Sequence, residues 1–373
     1  MDSRSSIDQV RILFALAGLH RVDRGAEVAF ISVARELVQL GNDVTLIGSG
    51  PPRPEEAYRY IQVPAVSRTR FEHWPSVPTL RNDTSWEEAT FAAGLLAKYR
   101  PADFDIAVTC AFPWTHWALQ RPTASRRPRR VFVTQNGDWP AFSNEAEFRY
   151  FTCDGLVCTN PDYLEHNADR YRCALIPNGV DLDRFRPGPS ERLRLGLPSG
   201  PIVLMVSALI PSKNVAEGIE AIARVPDLSL VVAGDGPIRD EIQGLAAELL
   251  PGRFLQITLP ASDMPALYRS ADAFMHLSVD ESFGNVFVEA LATGLPIIAY
   301  DIPRTRWIIA DEGCFAAGRT TEQLSAAVVN AVRRGRRVTT HERAREFGWD
   351  RIGRQYAEFF EMLLSPRAPE LTA

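Results

Sequence analysis

One pattern limits the fold more than any other: short apolar runs alternate with amphipathic stretches, and the series is run through twice. Val10–Leu16 is apolar almost throughout and ends at Ala17-Gly18, as a strand covered on both faces does. In Ala26–Leu40 the residues Ala26, Phe30, Val33, Ala34, Leu37 and Leu40 share one helical face, and Gly41-Asn42 stops the helix. Further strands are predicted at Asp43–Ile47, Ile106–Cys110, Arg130–Thr134, Gly155–Thr159 and Ala174–Ile176, with helices at Ser85–Tyr99 and Pro161–Arg170. Turn-forming residues cluster over 177–189 and read as a linker. The alternation then restarts. Strands are predicted at Ile202–Ser207, Leu228–Ala233, Ala273–Leu277 and Pro296–Tyr300, and helices at Val215–Arg224, Ile238–Leu249, Asn285–Thr293 and Arg351–Leu364.

Such alternation implies parallel sheets with helices on both faces. The expected architecture is two α/β domains, 1–180 and 181–350, followed by a C-terminal helix at 351–373 that packs back toward the first. Ligands of open parallel sheets bind at the carboxyl ends of the strands. Two such domains facing a central cleft would offer a site on both walls.

Charge and cysteine use narrow the function. The net charge of −5 offers no broad basic surface, so nucleic acid is not an expected partner. The five cysteines, Cys110, Cys153, Cys158, Cys173 and Cys314, form no C-x-x-C pair and are expected to be buried free thiols. The polar start Met1–Ser6 lacks a signal-peptide layout, and no apolar run reaches the ~18 residues of a membrane span. A cytoplasmic protein is the expectation. The arginines Arg121, Arg126, Arg127, Arg129 and Arg130, near Trp114 and Trp117, read as a solvated loop; peripheral membrane contact is not predicted. Among the basic residues only Lys98 and Lys213 are lysines.

The densest chemical signal runs from Asp280 to Pro296. A predicted strand ends at Leu277, a polar loop carries Gly284, and a helix starts at Asn285. Unpaired amides and the helix dipole make such a start an anion site. Glu281 precedes it and Glu289 lies one turn inside. Taken singly, these are a solvated loop acid and a dipole partner. Flanking an anion site, they suit hydrogen bonds from hydroxyls on either side of it. No G-x-G-x-x-G follows Val10–Leu16, so a nicotinamide-binding fingerprint is missing.

The frame from Glu281 through Glu289 to Gly294-Leu295-Pro296 resembles the signature of retaining glycosyltransferases of family 4, which have the GT-B fold. Ile176–Phe185 resembles the family's interdomain segment, Val231–Pro237 its strand-to-helix turn, and Arg24–Glu27 its glycine-rich loop. The resemblance implies a transfer of sugar from a nucleoside diphosphate, commonly of uridine or guanosine, to a hydroxyl acceptor such as a glycan, a lipid-linked sugar or a small metabolite. It implies no cofactor and no metal. Glu289 would bind ribose hydroxyls and Glu281 donor-sugar hydroxyls. Backbone at Phe283, Gly284, Asn285 and Val286 would meet sugar and diphosphate. Lys213 would neutralise the diphosphate, and Gly25 would let the first helix approach a phosphate.

Two departures stand out. Ala208 replaces a family arginine, the second cation on the diphosphate. The strand Arg130–Thr134 runs into Gln135-Asn136-Gly137-Asp138, where the family often has a histidine near the reacting carbon. Asn136 and Asp138 are the candidates for that place, with Gln135 a third, and Asp138 alone could act as a base. His20 and His116 read as structural. The rival readings are a nucleotide-sugar epimerase and a non-catalytic nucleotide-sugar binder. A pyridoxal phosphorylase would need a Schiff-base lysine, for which Lys98 is poorly placed.

Overall fold

In the computed structural model, residues 9–121, 127–137 and 146–365 are described. They form two compact units. One comprises the chain up to Asn178 together with the stretch from Trp349 onward, and the other is Gly179–Gly348.

The first unit contains β1 (Arg11–Ala15), β2 (Asp43–Gly48), β3 (Arg59–Gln62), β4 (Ile106–Thr109), β5 (Arg129–Val133), β6 (Gly155–Cys158) and β7 (Cys173–Leu175). They make one parallel sheet in the order β3-β2-β1-β4-β5-β6-β7. The second contains β8 (Ile202–Val206), β9 (Ser229–Ala233), β10 (Phe254–Ile257), β11 (Ala273–Met275), β12 (Ile297–Tyr300) and β13 (Gly313–Ala316). Its order is β10-β9-β8-β11-β12-β13, again parallel. Both sheets reverse direction beside their first strand, between β1 and β4 and between β8 and β11. In doubly wound folds that switch point is where ligands bind.

Three strands escaped the sequence reading: β3, β10 and β13. All are sheet edges. The residues of β3 and β10 are half-buried or exposed, so they carry no continuous apolar run. A short helix at Trp114–Leu119 was also missed, hidden in a proline-flanked stretch. The segment after 177 is no loose linker. Val180 N–H donates to Phe347 O at 2.8 Å, Asp181 Oδ1 accepts from the amides of Asp183 and Arg184, and Phe185 is buried edge-on against Tyr268.

The helix Trp349–Leu364 belongs to the first unit. Its apolar face, Ile352, Tyr356, Phe359, Phe360 and Leu363, is buried in one cluster with Phe14, Phe30, Val33 and Leu37. Among the cysteines, Cys110, Cys158 and Cys314 are buried, whereas Cys153 and Cys173 are only partly so; all five are free thiols. No described helix is long and apolar enough to cross a membrane. Arg121 is occupied in structure, donating to Leu96 O at 2.9 Å at the end of the helix Asp83–Lys98, and Arg126 lies outside the described residues.

Phe360 is 1% exposed. Phe360→Ala should therefore cost about 3–5 kcal/mol, read as a fall in the denaturant midpoint. A loss below about 1 kcal/mol would show that the last helix is not part of this core.

Candidate active site

The second unit gathers the predicted donor residues at the carboxyl end of its sheet. After β8 the chain makes a tight 3-10 turn, Pro211–Lys213, and Asn214 takes a left-handed conformation (φ 53°). The Asn214 side chain donates to Leu277 O at 2.9 Å, tying this loop to the one that follows β11. The neighbouring turn after β9 packs under it. Leu209 N–H donates to Asp235 O at 3.0 Å, and Ile238 N–H to Leu209 O at 3.3 Å. Gly234 has φ +151°, and a Cβ there would lie 1.9 Å from Ser207 O. Any side chain at 234 would push the Lys213 loop off the sheet.

Lys213 and Glu281 therefore come from adjacent strands at the switch point. Lys213 Nζ forms an ion pair with Glu281 Oε1 and lies 3.5 Å from Ser278 Oγ. The same Oε1 is 3.0 Å from His276 Nε2. His276 is buried, with its ring edge-on to Phe287 at 5.0 Å. Burial opposes the charged form of Glu281, but the bonds from His276 and Lys213 outweigh it and hold the carboxyl down at about 2. Neither His276 nor Ser278 stood out in the sequence. The signal for both was their position, at and just past the end of a strand that leads into the acidic loop.

The loop 280–284 ends at Gly284, which has φ +93° and precedes the helix Asn285–Ala292. A Cβ at 284 would sit 2.8 Å from the Phe287 ring, so only glycine gives this tight entry. The Phe283 side chain is buried between Trp307 and Phe347, which fixes the backbone leading into the helix. Glu289 lies one turn in and accepts from Tyr268 Oη at 2.7 Å. Desolvation raises its carboxyl to about 7, against the bond from Tyr268 and the charge of Arg184. The two glutamates thus differ sharply. Glu281 is a fixed anion, while Glu289 is poised to change state near neutral pH.

The first unit holds the other candidates. Gly25 begins the helix Gly25–Gln39 and is exposed. Glu27, two residues on, is buried, and desolvation raises its carboxyl. Gln135 exchanges two hydrogen bonds with Asn178, at 2.6 and 2.9 Å, so its amide is committed. Asn136 Nδ2 lies 3.5 Å from Cys110 O. Asp138 lies outside the described residues. His20 bonds Pro51 O and Tyr58 Oη and stacks on Tyr60; His116 bonds Thr152 O and stacks on Phe151. Burial lowers both histidines, His116 to about 3, which removes His116 as a proton carrier near neutral pH. Among the described residues no group of three His, Cys, Asp or Glu is arranged to hold a metal.

Residues 191–347 match the family Glycosyl transferases group 1, and residues 24–184 match Glycosyltransferase Family 4. The solved sucrose-phosphate synthase from Thermosynechococcus elongatus superposes with a TM-score of 0.74 over 95% of this chain and 99% of that one, at 20% identity. Anabaena HepE, crystallised with UDP and glucose, has a TM-score of 0.71 over 95% of this chain and 100% of its own, at 17% identity. The chain belongs to the group 1 glycosyltransferases and has their GT-B fold. Within that family it is similar to the GDP-mannose-dependent alpha-(1-6)-phosphatidylinositol monomannoside mannosyltransferase of Mycolicibacterium smegmatis, 36% identical over 142 residues. That match covers 33% of this chain and spans little more than a third, 37%, of the relative's length.

The raised Glu289 carboxyl has a stability consequence. The fold favours its neutral form, so its contribution is fully present below about pH 4.5 and is lost as pH rises through about 7. In the ligand-free protein, Glu289→Gln should flatten this loss. Between pH 5 and 8 wild type should lose roughly 2–6 °C of Tm relative to the variant, measured by calorimetry. Parallel profiles would place Glu289 in an ordinary solvated setting.

Proposed function

We propose that the chain is a retaining glycosyltransferase that moves a sugar from a nucleoside diphosphate to a hydroxyl acceptor. The observation that carries this reading is the convergence of Lys213, Glu281 and the helix start at Gly284-Asn285 at the carboxyl end of the second sheet. It combines a cation and a helix start for an anion with carboxylates on either side for hydroxyls. Glu289 receives the ribose diol, Glu281 the hydroxyls of the donor sugar, and Lys213 with the amides of 283–286 the diphosphate. For Gly25, Asn136 and Asp138 the proposal keeps the roles that the family resemblance implies.

The bond from the anomeric carbon to the β-phosphate oxygen breaks, and its electron pair leaves on the diphosphate. The acceptor oxygen attacks the same face of the oxocarbenium-like carbon, and its proton passes to the departing phosphate oxygen. Fixed positive charge where the anion develops lowers the barrier without reorganisation. The acceptor and the base of the nucleotide are open. The mannosyltransferase relative is named for GDP-mannose, whereas HepE was crystallised with UDP.

Ala208 favours a rival reading, a nucleotide-sugar binder without turnover. Release of UDP or GDP from a panel of nucleotide sugars, with and without acceptors, decides between them; binding without release across the panel overturns the transferase. Glu289→Ala should abolish nucleotide protection against heating, and unchanged protection would remove the ribose assignment. Lys213→Ala should lower turnover by about 100-fold or more while leaving affinity for the free nucleoside nearly intact. Near-wild-type rates would take Lys213 out of the mechanism.

A further inference from the structure

We infer that the first unit takes an acceptor carrying a protonated amine, held by Glu88 and Glu27 at the carboxyl ends of β1 and β4. The inference rests on the transferase reading above and names the chemical class of its acceptor.

Three acids are brought to this place by separate elements. Glu27 stands in the first turn of the helix Gly25–Gln39 and is 4% exposed. Its carboxylate lies against Gly18, just past the end of β1, where a Cβ would fall 1.9 Å from Glu27 Oε1. Glu87 and Glu88 lie on the helix Asp83–Lys98. Glu87 is spent on structure. Its Oε1 accepts from Arg21 and from the amide of Arg68 at 3.0 Å, which joins the loops after β1 and β3. Cys110 is the first residue past β4. Burial raises its thiol and the charges of Glu27 and Glu88 add to the rise, which puts both acids beside the end of β4. The strands β1 and β4 are neighbours at the switch point of this sheet.

Glu88 is the group that the fold itself does not satisfy. It is only 8% exposed, and its carboxyl has no hydrogen-bond or ion-pair partner among the described residues. Burial raises that carboxyl to about 8, and Glu87 and Glu27 push the same way; no cation opposes them. Burial raises Glu27 as well, and its own amide, Arg24 and Arg21 offset only part of the rise. Neither arginine forms an ion pair with Glu27, and the guanidinium of Arg21 is engaged with Glu87. A further polar group is stranded close by in the fold. Thr115, on the helix Trp114–Leu119 that packs against Asp83–Lys98, is fully buried and its hydroxyl has no partner. Buried polar groups are ordinarily paired, and an unpaired carboxyl is costly.

The missing partner is a positive charge with several N–H groups. An ammonium brings a full charge and three donors, enough to meet Glu88 and Glu27 together and to restore both to the ionised form. A hydroxyl brings one donor and no charge, and would leave the two carboxyls facing each other with nothing to offset them. Among the described residues these acids do not make a three-ligand metal set. The acceptor so defined is an amine-bearing sugar or polyol, with its amine at Glu88 and Glu27 and one of its hydroxyls as the attacking group.

The test compares wild type, Glu88→Gln and Glu27→Gln on three matched sets of acceptors. These are glucosamine, galactosamine and mannosamine, each beside its N-acetyl form and its parent sugar. Binding is measured by calorimetry, and turnover as release of UDP or GDP from a panel of nucleotide sugars. At least one amine should bind wild type about tenfold or more tightly than both of its counterparts, and should speed nucleotide release by a similar factor. Glu88→Gln should cut that preference for the amine by about tenfold. A loss shared equally by the amine and its parent sugar would show that Glu88 only supports the helix it sits on, and would overturn the inference. So would a wild type that prefers the parent or N-acetyl forms, or that binds none of the three amines. Selective amine binding by a protein that releases no nucleotide would overturn the transferase reading while upholding the ammonium site. Should Glu88→Gln fail to fold, the same ratio is read from Glu27→Gln.

Discussion

The second unit is organised around one carboxylate. Glu281 accepts from His276 and from Lys213 at the same oxygen, and its main-chain carbonyl accepts from Arg304. These contacts join the loops that follow β8, β11 and β12, which the sheet topology places side by side. An isolated carboxylate buried to this degree would take up a proton. Paired as it is, Glu281 stays ionised and anchors Lys213 beside the loop that enters the helix Asn285–Ala292. Removing its side chain would release Lys213 and His276, while Arg304 would keep its main-chain acceptor. The acid and the bases around it are better regarded as one unit than as separate contributors.

Glu289 illustrates the opposite solution on the same helix. Only a tyrosine hydroxyl and a distant arginine offset its desolvation, so its proton is held near neutral pH. Bound hydroxyls prefer an ionised acceptor. On the proposed reading, ribose hydroxyls held by Glu289 draw its proton off, whereas Glu281 is ionised beforehand. The difference arises from neighbours, since both residues are glutamates on one contiguous stretch of chain.

That contrast also marks how much was legible in the sequence. The parallel α/β plan was readable because central strands are buried on both faces and show as unbroken apolar runs. The edges β3 and β10 were not, because half-exposed strands mix polar and apolar residues without a clear period, and β13 is only four residues long. The loop from Glu281 to Glu289 was readable for a related reason: its chemistry is contiguous, and glycine, acids and helix start follow in order. His276, Ser278 and Arg304 gain their meaning from the order of β8, β11 and β12, which no local pattern encodes. The histidine missing after β5 was visible as an absence. What stands in its place is only partly described, since Gln135 is tied to Asn178 and Asp138 lies outside the described residues.

The scarcity of lysine gives this site its last constraint. Only Lys98 and Lys213 occur in a chain otherwise served by arginine, and one of them sits at the ion pair with Glu281. A lysine ammonium is a compact charge on a flexible stem, free to turn between a carboxylate and a nearby phosphate. A guanidinium held by two prongs is less easily shared. On the proposed reading the anion arrives at a cation that is already paired, so Lys213 must serve both Glu281 and the diphosphate.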